Sequence, residues 1–314
     1  MPDRLSTTPL PVIVVSFNTR DLLRRCLETV MRSADVEVNV LVVDNASTDG
    51  SGEMVRSDFP RALLLPQASN LGFAAANNVA LRALGFGADR PQARLPEFVL
   101  LLNPDTEVRP DALATLLAFL RTQPRAGAAG GQLLYPDGRF QHSAFAFPSL
   151  SQVFLDFFPV NYRLVNSRLN GRYPQRATPF EVDHPLGAGI LVRGEVIQQV
   201  GLMDEGFFMY VEEVDWCRRI RRAGWQIWCE PRAVIVHHEG QSTRQFRQAM
   251  FVALWESRFR YFRKYHSRLY VGLVKRVVRL GLWYQTFQMR RAGALSSESQ
   301  QAQWLEAFEQ VKAL

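Results

Sequence analysis

Four short polar segments of the chain gather side chains suited to gripping a charged ligand: Ser16-Phe-Asn18, Asp44-Asn-Ala-Ser-Thr-Asp49, Asn70-Leu-Gly-Phe-Ala-Ala-Ala-Asn-Asn78 and Asn103-Pro-Asp105. Three of them directly follow apolar, β-branched or leucine-rich runs. Carboxylates, amides and hydroxyls set along one edge of a parallel sheet can hold a base, a ribose and a diphosphate. Taken singly, each segment is equally a turn or a helix cap, the common use of Asn, Asp and Ser. Four at successive strand ends point to one shared site. Asp105 follows the apolar run Phe98-Val-Leu-Leu-Leu102 and a proline. A carboxylate fixed there suits a hard cation such as Mg2+ or Mn2+ held together with a diphosphate; its other use is to cap the next helix.

Two more clusters carry titratable groups. Tyr210-Val-Glu-Glu-Val-Asp-Trp-Cys217 sets Glu212, Glu213 and Asp215 at a helix start, after the apolar Gly206-Phe-Phe-Met209. Acidic residues there complement the helix dipole. A carboxylate against an apolar wall also gains proton affinity and can act as a general base. His237-His-Glu-Gly-Gln-Ser242 follows an apolar strand and offers imidazole to a divalent ion. Pro185-Leu-Gly-Ala-Gly-Ile190 is a glycine-flanked turn that lets backbone approach a ligand, or simply turns. No GxGxxG and no GxxxxGK[ST] occurs, which removes the main signal for a dinucleotide oxidoreductase or a P-loop NTPase.

The elements that must position these residues alternate. Strands are expected at Pro11–Ser16, Val38–Val43, Ala62–Leu65 and Phe98–Leu102. Helices are expected at Asp21–Arg32, Ser51–Phe59, Phe73–Leu84 and Pro110–Leu120. Continuous apolar strands separated by helices imply a mostly parallel sheet with helices on both faces, binding ligands at the carboxyl ends of its strands. Residues 141–180, rich in Phe, Pro and Asn, read as a long loop. Then come a strand at Ile190–Val192, a helix over Met209–Arg222 and strands at Trp225–Trp228 and Ala233–Val236. Gln245 to Met289 reads as helical throughout, Ala292–Gln301 as a polar linker and Ala302–Lys312 as a last helix.

With 47% hydrophobic and 21% charged residues the chain is globular rather than disordered. Three cysteines without CxxC spacing argue against a disulfide framework and for a reducing compartment. No signal-peptide pattern and no run of 18 apolar residues is present. The net charge of +7 is uneven: residues 241–314 hold 13 Lys/Arg against 4 Asp/Glu, while the rest holds 24 against 26.

In order and spacing these segments resemble a family 2 glycosyltransferase of the GT-A fold, in its rhamnosyltransferase-like branch, over roughly residues 10–245. The resemblance implies a catalytic domain over 1–244. Its nucleotide-binding half would be about 9–135 and its acceptor and catalytic half 136–244, with a basic helical region over 245–314. Ser16, Asn18 and Asp44 would hold the nucleoside. Asn70, Asn77 and Asn103 would line the ribose and sugar, with Asn45 and Gly72 of the same segments beside them. Gly187, Ala188 and Gly189 would face the acceptor. Asp105 would be the metal ligand of the family's DxD motif, whose first position here is Asn103. His237, or alternatively His238, would be a further ligand for Mg2+ or Mn2+. Glu213 stands where the family usually has an Asp base, with Glu212 and Asp215 as the other candidates.

The implied reaction is a single inverting displacement. A sugar, rhamnose from dTDP-rhamnose in first choice, moves from a nucleotide-sugar to a hydroxyl of a lipid-linked or polysaccharide acceptor in cell-envelope glycan synthesis. Two rivals are a catalytically weak scaffold that keeps nucleotide-sugar binding and a sugar nucleotidyltransferase. In the tail, Arg268, Lys275, Arg276 and Arg279 share one helical face, and Leu273, Val274, Val277, Leu280 and Tyr284 the other. That pattern fits either a helix lying in an anionic membrane interface or one packed on the body. A cytoplasmic protein, peripheral on the inner face of the membrane, is the expectation. Nucleic acid is not an expected partner, since no recognition motif accompanies the charge.

Overall fold

The computed structural model describes residues 8–88, 94–239, 247–292 and 298–314. The first half runs β1 (Leu10–Ser16), α1 (Arg20–Met31), β2 (Val38–Asp44), α2 (Ser51–Asp58), β3 (Leu63–Pro66), α3 (Phe73–Ala83), β4 (Phe98–Leu102), β5 (Thr106–Val108), α4 (Ala112–Thr122) and β6 (Ala126–Leu134). The second half runs β7 (Phe140–Gln141), β8 (Ala144–Phe145), α5 (Leu150–Phe157), α6 (Tyr162–Val165), β9 (Phe180–Glu181), β10 (His184–Pro185), β11 (Gly189–Arg193), α7 (Gly194–Val200), α8 (Glu212–Arg222), β12 (Gln226–His237), α9 (Arg247–Tyr265), α10 (Arg268–Ala292) and α11 (Glu298–Ala313).

The main sheet has the order β3-β2-β1-β4-β11-β6-β12-β5. The β3-β2-β1-β4 stretch is parallel, as the apolar runs predict, and every residue of β1 and β4 is buried. β11 enters antiparallel between β4 and β6, and β6 pairs in parallel with β12. Strand order reverses at β1, which has β2 on one side and β4 on the other. The register sets Ser16 beside Asp44, and Val14 beside Leu102, at one edge. The crevice there is the expected place for a ligand.

Alternate side chains of the strands feed two cores. One takes Leu23, Leu27 and Val30 of α1, Met54 of α2, and Leu113, Leu116 and Leu120 of α4. The other takes Ala76, Ala80 and Leu81 of α3, Ile197 of α7, and Trp216 and Ile220 of α8. Helices thus cover both faces. Cys26, Cys217 and Cys229 are free and buried.

Several elements differ from the sequence expectation. β6 was unread because its sequence, AGAAGGQLL, lacks branched side chains. Its glycines are demanded by contact: a Cβ on Gly130 would lie 2.5 Å from Pro185 Cβ, and one on Gly131 would lie 2.4 Å from the Ala233 carbonyl oxygen. The two strands expected at 225–236 are one, β12, with a register irregularity between Glu230 and Val234. The stretch 141–180 is not one loop but holds β7, β8, α5, α6, a 3-10 turn at Arg168–Asn170 and β9. The long C-terminal helix is broken at His266 and Ser267 into α9 and α10. The last helix begins at Glu298, inside the expected linker, and the linker's 293–297 lie outside the described residues, as do Gln245 and Phe246.

A third core joins the two sides of residue 244. Val153 and Phe157 of α5, Phe207, Val211 and Val214 pack with Trp255, Phe259 and Phe262 of α9, Val274, Val278 and Leu282 of α10, and Phe308 of α11. The basic helices are therefore built onto the body. Of the apolar face expected on α10, Val274 is fully buried, whereas Leu273 and Leu280 face solvent.

Candidate active site

A cleft of about 360 Å³ opens at the carboxyl ends of the central strands. Its walls include Asn45, Asn70, Asn103, Asp105, Gly187, Ala188, Glu212, Glu213 and His237. The expected nucleotide, metal, acceptor and base segments therefore meet, although they come from six separate stretches of chain.

Among the segments expected to hold the nucleotide, Asn45 is a hub. Its Nδ2 donates to Asn70 Oδ1 at 2.7 Å, and its Oδ1 accepts from the Leu71 N–H at 2.9 Å. Asn70 Oδ1 also accepts from the Gly72 N–H at 2.9 Å. Gly72 has φ of +80°, and a Cβ there would lie 2.3 Å from the Phe208 carbonyl oxygen. Only glycine allows this approach, and the Phe73 N–H donates to the same carbonyl at 2.7 Å. Asn18 ties the first two strand ends together: its N–H donates to Ser47 Oγ and its Oδ1 accepts from the Thr48 N–H. Asp44 Oδ1 accepts from the Ser47 N–H. Ser16 is buried with its hydroxyl on Thr19, and Asn77 is buried with its Nδ2 on the Phe73 carbonyl oxygen. Ser16, Asn18, Asp44 and Asn77 stand behind the cleft wall rather than on it, and Gly189 begins β11 behind Gly187 and Ala188.

Asp105 and His237, the pair expected to hold a cation, are each about 5% exposed. Asp105 Oδ1 lies 3.3 Å from His237 Nε2. β12 ends at His237, and His238 turns away to Glu107, at 2.7 Å. Gln141 sets the ring of His237. Its Nε2 donates to Glu239 Oε2 at 3.0 Å, so its Oε1 is the atom 3.1 Å from His237 Nδ1. Nδ1 is then the ring's donor toward Gln141, and Nε2 faces Asp105. Two electron-pair donors 3.3 Å apart suit a shared divalent cation. Among the described residues no three His, Cys, Asp or Glu groups converge. With Asp105 and His237 as its protein ligands, such a cation would be completed by phosphate oxygens and water. The donor set fits the group.

On the opposite wall stands the start of α8. Tyr210 and Val211 precede it with φ of 66° and 68°. That left-handed conformation is costly for a β-branched residue and is held here by packing. Ser257 of α9 donates to the Met209 carbonyl oxygen at 2.8 Å, and Arg260 of α9 lies where a Cβ on Gly206 would be. The turn delivers Glu212 and Glu213 into the cleft, each with an Oε2 that is buried and without a hydrogen-bond partner. Burial raises Glu213 from 4.5 to about 7, against the opposing pull of backbone N–H groups at the helix start. Burial, and then the charge of Glu213, raises Glu212 well above the ordinary range. A carboxylate near 7 suits general-base work. Asp215 is elsewhere. Fully buried, it binds Arg219 at 3.0 Å, Lys264 at 2.7 Å and the Tyr265 hydroxyl at 2.8 Å, so it joins α8 to α9 and does not line the cleft.

Phe17, Phe208, Met209, Met250, Gln141 and Glu239 escaped the sequence reading, though all but Gln141 line the cleft itself. Phe17 lay inside a noted segment and Phe208 and Met209 just before another. Glu239 lies inside the segment His237–Ser242, and Gln141 and Met250 reach the site only through folding.

A family model described as glycosyl transferase family 2 matches residues 12–201. An N-acetylglucosaminyl-diphospho-decaprenol L-rhamnosyltransferase of Mycobacterium tuberculosis is 33% identical over 269 residues, covering 83% of this chain and 86% of that one. Rhamnosyltransferase WbbL of Escherichia coli is 25% identical over 255 residues, covering 80% and 91%. Among solved structures, mannosyltransferase PcManGT from Pyrobaculum calidifontis, in complex with GDP-Man and Mn2+, superposes with a TM-score of 0.57 at 18% identity, covering 100% of this chain and 87% of that one. GalNAc-T7 with UDP, GalNAc and Mn2+ gives 0.52 at 14% identity, covering 73% and 43%.

Proposed function

The chain belongs to glycosyl transferase family 2 and is a glycosyltransferase; we propose that it moves rhamnose from dTDP-rhamnose, with inversion, to a hydroxyl of a lipid-linked acceptor in cell-envelope glycan synthesis. The observation that carries this reading is one cleft with a raised carboxylate, Glu213, on one wall and the Asp105–His237 pair on another. The M. tuberculosis relative, an L-rhamnosyltransferase by name, supports the sugar and the prenyl-diphosphate type of acceptor.

In this reading Asn45, Asn70 and Asn103 hold the donor's nucleoside and sugar. Asp105 and His237 hold Mg2+ or Mn2+, which when bound would neutralise charge on the departing diphosphate. Glu213 accepts the acceptor's hydroxyl proton. The freed oxygen forms a bond to the anomeric carbon as the bond to the diphosphate oxygen breaks on the opposite face. Burial and the charge of Glu213 raise Glu212 in the same direction, and Glu213 is the base that the family likeness favours. The protein works at the inner face of the membrane, where such an acceptor lies. Among the described residues no helix is long and apolar enough to cross it.

The test is transfer from dTDP-, UDP- and GDP-sugars, with and without Mn2+, to a short-chain N-acetylglucosaminyl-diphospho-prenol. Metal-dependent transfer of rhamnose with inverted anomeric configuration is expected. Donor binding without transfer would instead mark a scaffold, and pyrophosphate release from a nucleoside triphosphate a nucleotidyltransferase.

A further inference from the structure

We infer that the chain rests on an anionic bilayer through a composite surface made by α5, α6 and the outward ridge of α10. The inference rests on the lipid-linked acceptor proposed above, and it relocates the expected membrane contact from the tail alone to two segments more than 100 residues apart.

The ridge is a helical row one side chain wide: Leu273, Arg276, Leu280, Trp283, Phe287 and Arg290 follow at steps of three and four. Its opposite side, Val274, Val278 and Leu282, is spent on the third core. Trp283 is 60% exposed, yet stacks on Phe287 at 6.0 Å. The surface continues onto α5, since Tyr284 meets Phe158 at 5.5 Å and Phe158 meets Phe154 at 5.0 Å. Beyond it, Val160 and Tyr162 are 71% and 81% exposed. The two segments are fixed to one another. A Cβ on Gly281 would lie 2.2 Å from the Phe157 ring, so α5 lies directly on the α10 backbone.

Charge selects the occupant. α10 has no acidic residue; its Lys275 and Arg279 turn to the carbonyl oxygens of Leu314 and Lys312, while Arg276 and Arg290 stand on the ridge and Arg163 and Arg168 are exposed at the α6 end. A second copy docking through the same patch by two-fold symmetry would set these cations against their own counterparts. An anionic lipid surface accepts both the cations and the rings, and Trp and Tyr are the side chains that favour the headgroup level.

Flotation of the full-length protein with vesicles of phosphatidylglycerol and phosphatidylcholine is the test. Binding should be strong, and weak on phosphatidylcholine alone. Replacing Arg276 and Arg290 by Gln should weaken it about fivefold for each charge. Trp283→Ser with Phe287→Ser, and separately Phe154→Ser with Tyr162→Ser, should each weaken it at least tenfold. Brominated lipid should quench tryptophan fluorescence in the parent and much less in Trp283→Phe. Transfer to the short-chain acceptor should be unchanged in all of these variants. Vesicle binding that survives both serine pairs, or a parent that dimerises through this face and ignores vesicles, overturns the inference. A parent that binds vesicles but transfers no sugar leaves the surface standing and overturns the proposed reaction.

Discussion

Replacing Glu213 by Gln separates the cost of holding a base from its use. The parent carboxyl is raised from 4.5 in an unfolded chain to about 7 in the fold, chiefly by burial. The native state therefore binds this proton more tightly than the unfolded state does. Below the unfolded value the group is neutral in both states and costs nothing. As pH rises through the interval the unfolded chain ionises first, and stability falls until the folded group has ionised too. A rise from 4.5 to about 7, at about 1.4 kcal/mol per pH unit, sets a ceiling of about 3.5 kcal/mol. Glu213 is partly open to the cleft, and screening there reduces the expected cost to about 1–2 kcal/mol. Gln has nearly the same shape and no charge to bury. It also removes the charge that raises Glu212, so both effects share one sign. Glu213→Gln should be more stable than the parent by about 1–2 kcal/mol at about pH 8 and equal to it at about pH 4. Transfer should fall by at least about a hundredfold while donor affinity holds. Urea unfolding at the two pH values, read as a displaced midpoint with an unchanged slope, measures the first effect. A stability difference independent of pH would refute the buried, unpaired base, and full activity would move the base to another group.

Other expectations follow from the cation and anchor residues. Asp105→Ala should abolish the Mn2+-dependent part of nucleotide binding, seen as the loss of the metal-induced thermal shift; an unchanged shift would remove Asp105 from the cation site. Gln141→Leu should weaken Mn2+ binding about 10–100-fold. In the metal-free protein the 15N resonances of His237 should lose their bias toward a protonated Nδ1, and a retained bias would show that Gln141 does not set the ring. Asp215→Ala strands Lys264 and Arg219 beside a buried gap and should cost about 3–5 kcal/mol in thermal unfolding. Nucleotide binding per folded molecule should survive, since Asp215 does not line the cleft; loss of binding without loss of stability would contradict its place as an anchor.

The sequence announces what local chemistry dictates. β1, β2 and β4 are legible because strands buried on both faces are continuous apolar runs, and the polar residues just past them stand out. β6 is silent because its side chains are selected for close approach to Pro185 and Ala233, contacts that no local pattern encodes. Pro231 and the irregularity after Glu230 split β12 into two apparent strands. On α10 the periodicity alone did not tell which apolar stripe is covered. Val274 and Leu273 are neighbours in sequence, and only the presence of α5 and α11 sends one inward and leaves the other out. At the site, Asp105, Asn45 and Glu213 were legible from their flanks. Gln141 was not, since its part depends on His237, 96 positions away. Asp215 looked like its acidic neighbours until α9 supplied Lys264 and Tyr265.

The anchoring of the 206–213 turn by α9 orders events during synthesis. Domains emerge amino terminus first, and early segments fold while later ones are still being made. β1 to α4 lie within the first 122 residues, but their two cores also take Leu191 of β11, Ile197 of α7 and Ile220 of α8, and the Gly72 end of the asparagine hub packs on Phe208, so this part of the fold closes only once the chain has passed α8. Val211 holds its costly conformation only with Ser257, Arg260, Lys264 and Tyr265 in place around the turn and the helix it starts. The wall that carries Glu212 and Glu213 is thus among the last parts to mature. A chain released before α9 was made would hold both cores of the sheet but not the anchored 206–213 turn.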